Sequence, residues 1–392
     1  MENLKCNWAS VPDLVLEIVF SNLSLCDRFN TSLVCQNWST AFRFPGLWNQ
    51  LKVDDNWFCK KFQIQIDDDI APFKPTLDYK RAFEYLKFAG KYFRFISIRP
   101  NDNFDLLYQT LALLVWFFKS NLKPPCIYSF EFLCQQLPAD DPRGIKYFGN
   151  LFVGQIFALM VQLIQLLNEI NDLQITNLML ERYEANKLMD TISFHLNRTI
   201  EKLSLVNLTT KHCRLHQLNM FTRLKTLKLS PQSIDENLLK QLANCNLKDF
   251  WIIQNELTSK TIMSCDEKAW KDFKMINNIT RVHLFASNSD SSDFSGNGGV
   301  ELLIQPAAPI YSVTCQNLRH HYFQLVTDNY FASIVTYIEM ASNSEHFCDD
   351  ELIEMVKRCH YLTSVETTHS ISAQTLTQLK SIRKSFKCRL MV

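Results

Sequence analysis

Ile200-Glu201-Lys202-Leu203-Ser204-Leu205, Leu224-Lys225-Thr226-Leu227-Lys228-Leu229 and Leu247-Lys248-Asp249-Phe250-Trp251-Ile252 repeat one pattern, apolar-x-x-apolar-x-apolar. Their spacing is about 24 residues, a period that belongs to stacked units rather than to a single packed sheet. Within each copy the last two apolar positions alternate with polar ones, which marks a short strand with one buried face. Outward in both directions the pattern returns at Phe93-Ile96-Ile98, Ile127-Phe130-Phe132, Ile175-Leu178-Leu180, Ile279-Val282-Leu284, Ile310-Val313-Cys315, Val335-Ile338-Met340 and Leu362-Val365, with a degenerate copy near Phe386–Met391. Apolar stripes at three- and four-residue spacing lie between the strands, as in Leu238-Leu239-Leu242, Leu352-Ile353-Val356 and Leu376-Leu379-Ile382. A strand with a one-faced helix buries its apolar side only against copies of itself.

This template is that of the leucine-rich repeat, and it predicts an α/β solenoid over residues 93–392 with parallel strands on the concave side and helices on the convex side. An open α/β sheet is the competing architecture, and the recurring period argues against it. Two stretches break the repeat: an insertion near 133–150 and a Ser/Asp/Gly-rich one near 287–306. Residues 52–92 read as a connector that includes a helix.

The first fifty residues carry more large apolar side chains than so short a segment can enclose. Ser10-Val11-Pro12-Asp13 reads as a helix start, with Ser10 as cap and Pro12 in the first turn. Leu14, Leu16, Ile18, Phe20 and Leu23 then fall on more than one face, and a break is expected from Ser24 to Asp27. The order Val11-Pro12-Asp13-Leu14 … Ile18 … Leu23 … Asp27-Arg28 … Leu33-Val34-Cys35-Gln36-Asn37-Trp38 … Leu47-Trp48 resembles the F-box over about residues 8–51. It departs from the family pattern at Val11, where Leu is usual, and at Arg28, where Leu usually follows the Asp. The resemblance implies a short all-α three-helix module that docks the SKP-type adaptor of a ubiquitin ligase, with cullin and RING subunits reached through it. Val11, Pro12, Leu14, Ile18, Leu23, Val34, Cys35 and Trp38 are the positions implied for that contact.

Composition narrows the alternatives. Forty-one Lys+Arg against 40 Asp+Glu leave a net charge of +1, which argues against nucleic acid as the partner. Eight scattered glycines form no phosphate-cradling loop. No basic-then-apolar leader opens the sequence, so its 13 cysteines are expected as reduced thiols in the cytosol or nucleus. Leu106–Phe118 is too short to span a membrane, and Tyr147–Leu167 is interrupted by Asn150, Gln155, Gln162 and Gln165; both read as buried helices. No catalytic motif occurs, and His212-Cys213-His216, His346-Phe347-Cys348 and Cys359-His360 lack the spacing of a structural metal site. No cofactor, metal or catalytic residue is therefore expected.

Strand geometry then locates a binding surface. Positions three, five and seven of the template face away from the helices. They give Asn177, Met179 and Glu181 on one strand, Lys202, Ser204 and Val206 on the next, then Thr226, Lys228 and Ser230. Asp249, Trp251 and Ile253 follow, with Arg281, His283 and Phe285 beside them and Tyr337 and Glu339 further on. Trp251, Ile253, Arg281, His283 and Phe285 combine aromatic, aliphatic and guanidinium groups of the kind that anchor protein interfaces. The expected function is that of a non-catalytic substrate-recognition subunit of an SKP–cullin–F-box ubiquitin ligase; a repeat scaffold unrelated to ubiquitin is the alternative.

Overall fold

A computed structural model describes residues 8, 11–54, 57–60, 65–66, 69–70, 76–99, 104–121, 125–134, 151–259, 265–287, 302–305, 307–317, 322–340, 349–368 and 371–390. Most of the insertion near 133–150, most of that near 287–306, and His346-Phe347-Cys348 lie outside these residues, as does Ser10. The chain divides into two compact units, residues 1–132 with 154–170, and residues 133–153 with 171–392.

The first unit begins with three short helices, α1 (Asp13–Ser21), α2 (Leu25–Thr31) and α3 (Gln36–Ala41). Pro12 itself occupies the N-cap of α1, without a side-chain cap bond, so the helix starts three residues after the expected Ser10 cap. The expected break from Ser24 to Asp27 is shorter, because Ser24 caps α2 by accepting the Asp27 N–H. The module closes on Phe20, Trp38, Phe42 and Trp48: Phe20 and Trp38 meet edge to face, as do Phe42 and Trp48. Helix α4 (Tyr79–Ala89) adds Tyr85 and Phe88 against Trp48.

Parallel pairing starts earlier than the repeat pattern indicates. Strand β1 (Gln50–Val53), across the boundary between the F-box-like segment and the expected connector, pairs with β6 (Phe95–Ile98), and β6 pairs with β7 (Ser129–Leu133). Leu51 and Val53 are its buried pair, too brief an alternation to register as a repeat. Between them lie two small antiparallel pairs, β2 (Cys59–Lys60) with β5 (Thr76–Leu77) and β3 (Gln65–Ile66) with β4 (Asp69–Ile70). The two long apolar stretches form α5 (Phe104–Ser120) and α6 (Leu151–Leu166). Gly90, at the end of α4, lies against the ring of Phe117 on α5, where a Cβ would collide with it. Among the described residues no helix is long and apolar enough to cross a membrane.

The second unit is a single parallel sheet in strict chain order. Its strands are β8 (Asp172–Thr176), β9 (Lys202–Val206), β10 (Thr226–Leu229), β11 (Asp249–Gln254), β12 (Arg281–Ser287), β13 (Ile310–Gln316), β14 (Thr336–Met340), β15 (Ser364–Thr367) and β16 (Lys387–Leu390). Helices α7 (Arg182–Leu196), α8 (Glu236–Ala243), α9 (Glu267–Ile276), α10 (Phe323–Tyr330), α11 (Asp349–Arg358) and α12 (Ala373–Ile382) lie in six of the connections, while β9 leads to β10 through a short 3-10 turn (His216–Met220). Their starts are written in the sequence: Asp235, Asp266 and Ser372 each accept a backbone N–H of the first turn, and Glu181 with Glu184 forms a capping box. Leu203, Leu227, Phe250 and Val282 stack in one inward row and Leu205, Leu229, Ile252 and Leu284 in the next, all buried. One strand per turn, in parallel order, is the α/β leucine-rich-repeat solenoid that the period predicts.

Two registers differ from the sequence reading. Strand β8 uses Leu173 and Ile175 as its inward pair, so its outward residues are Asp172, Gln174 and Thr176 rather than Asn177, Met179 and Glu181. Asn177 and Met179 instead sit in the turn beyond the strand, at φ 61° and 50°. In β14, Tyr337 pairs with Val313 and Glu339 with Cys315, both inward rows, so Tyr337 and Glu339 are buried and Ile338 faces out. A one-residue slip exchanges the two faces of a strand.

Candidate functional site

Beyond the strands of the second unit runs a buried polar ladder that sequence reading did not single out. Asn207 holds φ 48°, a left-handed conformation that Asn tolerates better than most residues. Its side-chain amide donates to Asn177 at 3.0 Å and Asn255 at 2.6 Å, and its carbonyl oxygen accepts from Ser230 at 2.9 Å and Gln232 at 3.1 Å. The ladder ties the turns after β8, β9, β10 and β11 together and fixes where each strand ends.

The outward face of β10 to β12 is the first of two candidate surfaces. Register places Lys228, Trp251 and His283 in one row and Ile253 beside Phe285 in the next. The indole of Trp251 stacks on the His283 ring at 4.2 Å and 13°, and the Lys228 ammonium lies 5.9 Å from the indole centroid on the β10 side. Between β12 and β13 the register shifts after Val282, and the extra residue, Tyr311, meets the His283 ring in a T-shaped contact and carries the Arg281 guanidinium over its face. Arg281 pairs with Asp249 at 3.3 Å.

His283 is buried despite its place on the open face. Its Nε2 lies 3.3 Å from Asp249 Oδ1 and its Nδ1 2.6 Å from Ser312 Oγ. A neutral ring with the proton on Nε2 satisfies both, donating to the carboxylate and accepting from the hydroxyl. Burial holds its pKa below the usual histidine value, with Arg281 acting the same way, while Asp249 opposes both. Trp251, Ile253, Arg281, His283 and Phe285 are thus brought together as the spacing predicts. His283, however, supports the neighbouring rings rather than standing free.

The second surface is the apolar side of the N-terminal module. Leu14 is 75% exposed, Ile18 65% and Val34 63%, whereas Leu16 and Phe20 on the same helix are buried. Pro12 is exposed as well, and Val11, Leu23, Cys35 and Trp38 are half-buried. Val15, Val19, Phe29 and Leu33, which were not among the expected positions, are exposed beside them. Their signal was the surplus of apolar residues in so short a segment. Arg28 explains its own departure from the family pattern: its guanidinium donates to the carbonyls of Ser21, Leu23 and Leu47 and lies over the Trp48 ring.

Two of the histidine–cysteine clusters, at His212-Cys213-His216 and Cys359-His360, lie among the described residues. His212 meets Gln232 O and Asp235, and burial pushes the Cys213 thiol up. A pocket of about 530 Å³ lies beside them, lined by Arg182, His212, Arg214, Asp235, Glu236, Asn237 and Cys265. There Asp235, Glu236 and Asp266 join burial in pushing the Cys265 thiol up to about 12, opposite to what a nucleophile needs. Among the described residues no group of three His, Cys, Asp or Glu side chains is placed to hold a metal ion.

Comparison with known proteins identifies the N-terminal module. The F-box domain family model matches residues 8–50. A 56-residue segment is 36% identical to F-box/LRR-repeat protein 21 of Ovis aries, a match that spans 14% of this chain and only 13% of that protein. The chain is also similar to the leucine-rich repeat-containing protein LegL7 from Legionella pneumophila, at 12% identity and a TM-score of 0.36 over 75% of this chain and 82% of that one. The repeat assignment rests on strand order and register rather than on that likeness. An F-box domain thus precedes leucine-rich repeats, the organisation of an F-box/LRR protein. F-box domains generally bind SKP-type adaptors, and proteins of this organisation are generally non-catalytic.

Proposed function

We propose that this chain is the substrate receptor of an SKP–cullin–F-box ubiquitin ligase, working in the cytosol or nucleus. In this reading Val11, Pro12, Leu14, Ile18, Leu23, Val34, Cys35 and Trp38 dock the adaptor, which links the chain to cullin and RING subunits. The outward face of β10 to β12, with Trp251, Ile253, Arg281, His283 and Phe285, holds the target protein. The chain contributes no reacting group: it raises the effective concentration of a target lysine near a charged conjugating enzyme.

The observation that carries this reading is the exposure of Leu14, Ile18 and Val34, together with Val15, Val19, Phe29 and Leu33, on a module that encloses Leu16, Phe20, Leu47 and Trp48. Exposed aliphatic groups gathered at one surface mark a protein-binding site. Co-expression with a SKP-type adaptor tests it. A stoichiometric complex that recruits cullin is expected, and a chain that stays soluble and monomeric while ignoring the adaptor overturns the ligase assignment.

A further inference from the structure

We infer that the outward face of β10 to β12 takes a short acidic segment of its partner, one that carries a Leu, Ile or Phe within two or three residues of an Asp or Glu. This rests on the reading of that face as the target site and adds the chemistry of what binds there.

The first support is the charge left over after internal pairing. Asp249 is engaged by Arg281 and His283, and Asp172 by Lys202. Glu201 is shared between Arg223 and Lys225. Lys228, on β10, has no carboxylate partner among the described residues, and neither does Lys248, which precedes β11. This part of the sheet edge and face therefore carries positive charge that its own acids do not neutralise, in a chain whose net charge is only +1. A partner that supplies carboxylates is attracted over a range set by ionic strength.

The second support is the position of the apolar groups relative to Lys228. Trp251 stands between the Lys228 ammonium and the His283 ring, so its orientation is fixed before anything binds. Ile253 and Phe285 lie one row further along the strands, cross-strand neighbours on the outward face. Adjacent strands are about 4.8 Å apart and successive outward residues about 6.7 Å. An extended peptide spans the distance from the Lys228 ammonium to the Ile253–Phe285 shelf in two or three residues. Phosphate-rich polymers answer the charge but leave the aliphatic shelf unmatched, so a peptide fits better than a nucleic acid.

Panning the full chain, in complex with its adaptor, against a displayed library of random dodecapeptides tests this. The expected enrichment is for Asp or Glu near Leu, Ile or Phe. Binding of the enriched peptides should weaken about tenfold or more in Lys228→Glu and in Trp251→Ala, and should weaken as salt is raised. Adaptor capture by the same variants checks that they remain folded. Peptides that lack acidic residues yet lose binding in Trp251→Ala would overturn the acidic assignment and leave the face itself standing. Peptides indifferent to both substitutions, tighter binding of a single-stranded oligonucleotide, or no enrichment at all would overturn the inference together with the site.

Discussion

The ring of Trp251 lies flat on the ring of His283, 4.2 Å between centroids and 13° between planes. The histidine is held by Asp249 on β11 and Ser312 on β13, so an interface aromatic is braced by a residue that itself stays buried.

That bracing carries a pH dependence. Burial lowers the His283 pKa below its unfolded value, so the unfolded chain binds a proton that the native chain resists. Its contribution to stability is complete above about pH 6.5 and is lost as pH falls from there toward the folded pKa. His283→Phe is expected to remove this increment. Urea midpoints of the two proteins should converge as pH drops from neutral to mildly acidic values, and curves that run parallel would contradict it.

The exposed F-box side chains separate binding from folding. Leu14→Lys and Ile18→Lys replace groups already in solvent. Their melting temperatures should match the parent's, because surface substitutions usually fall within about 0.5 kcal/mol. Capture by the SKP-type adaptor should drop by about tenfold or more. Leu16→Lys, at an enclosed position of the same helix, should instead unfold the module.

Asn207 couples conformation and bonding. Asn207→Ala removes the side-chain bonds to Ser230, Gln232, Asn177 and Asn255 and forces an apolar residue into a left-handed turn. A loss of roughly 3 kcal/mol in chemical denaturation is expected. Asn207→Gly relieves the backbone part alone, so it should fall between the two. A glycine variant no better than the alanine one would show that φ at this turn carries no cost.

Burial pushes the thiols of Cys134 and Cys315 up to about 12. Iodoacetamide at pH 8 is expected to alkylate both far more slowly in the native chain than in denaturant, read residue by residue by mass spectrometry. Labelling of either at the denatured rate would mean that its surroundings open freely.

The strands from β9 to β12 were legible because their leucines and phenylalanines sit at fixed offsets with polar residues between them. Where two frames overlap, hydropathy alone chooses wrongly. Ile170-Leu173-Ile175 and Ile175-Leu178-Leu180 both satisfy the template, and the buried ladder at Asn177, invisible as a pattern, decides for the first. Val335-Ile338-Met340 is the greasier frame of β14, yet pairing with Val313 and Cys315 selects Ile334, Tyr337 and Glu339. The N-terminal surface was legible as a surplus of apolar groups, whereas the support that His283 gives Trp251 required knowledge of which strands are neighbours.

Arg28 occupies a place where related modules use leucine, and it returns three carbonyl oxygens to a bonded state while lying over an indole. A guanidinium keeps its proton throughout the physiological range, so this fastening does not loosen with acidity. Lysine, with its single nitrogen, cannot span the same three oxygens. The clasp thus depends on shape as much as on charge, and it ties α2 both to the end of α1 and to the segment at Leu47.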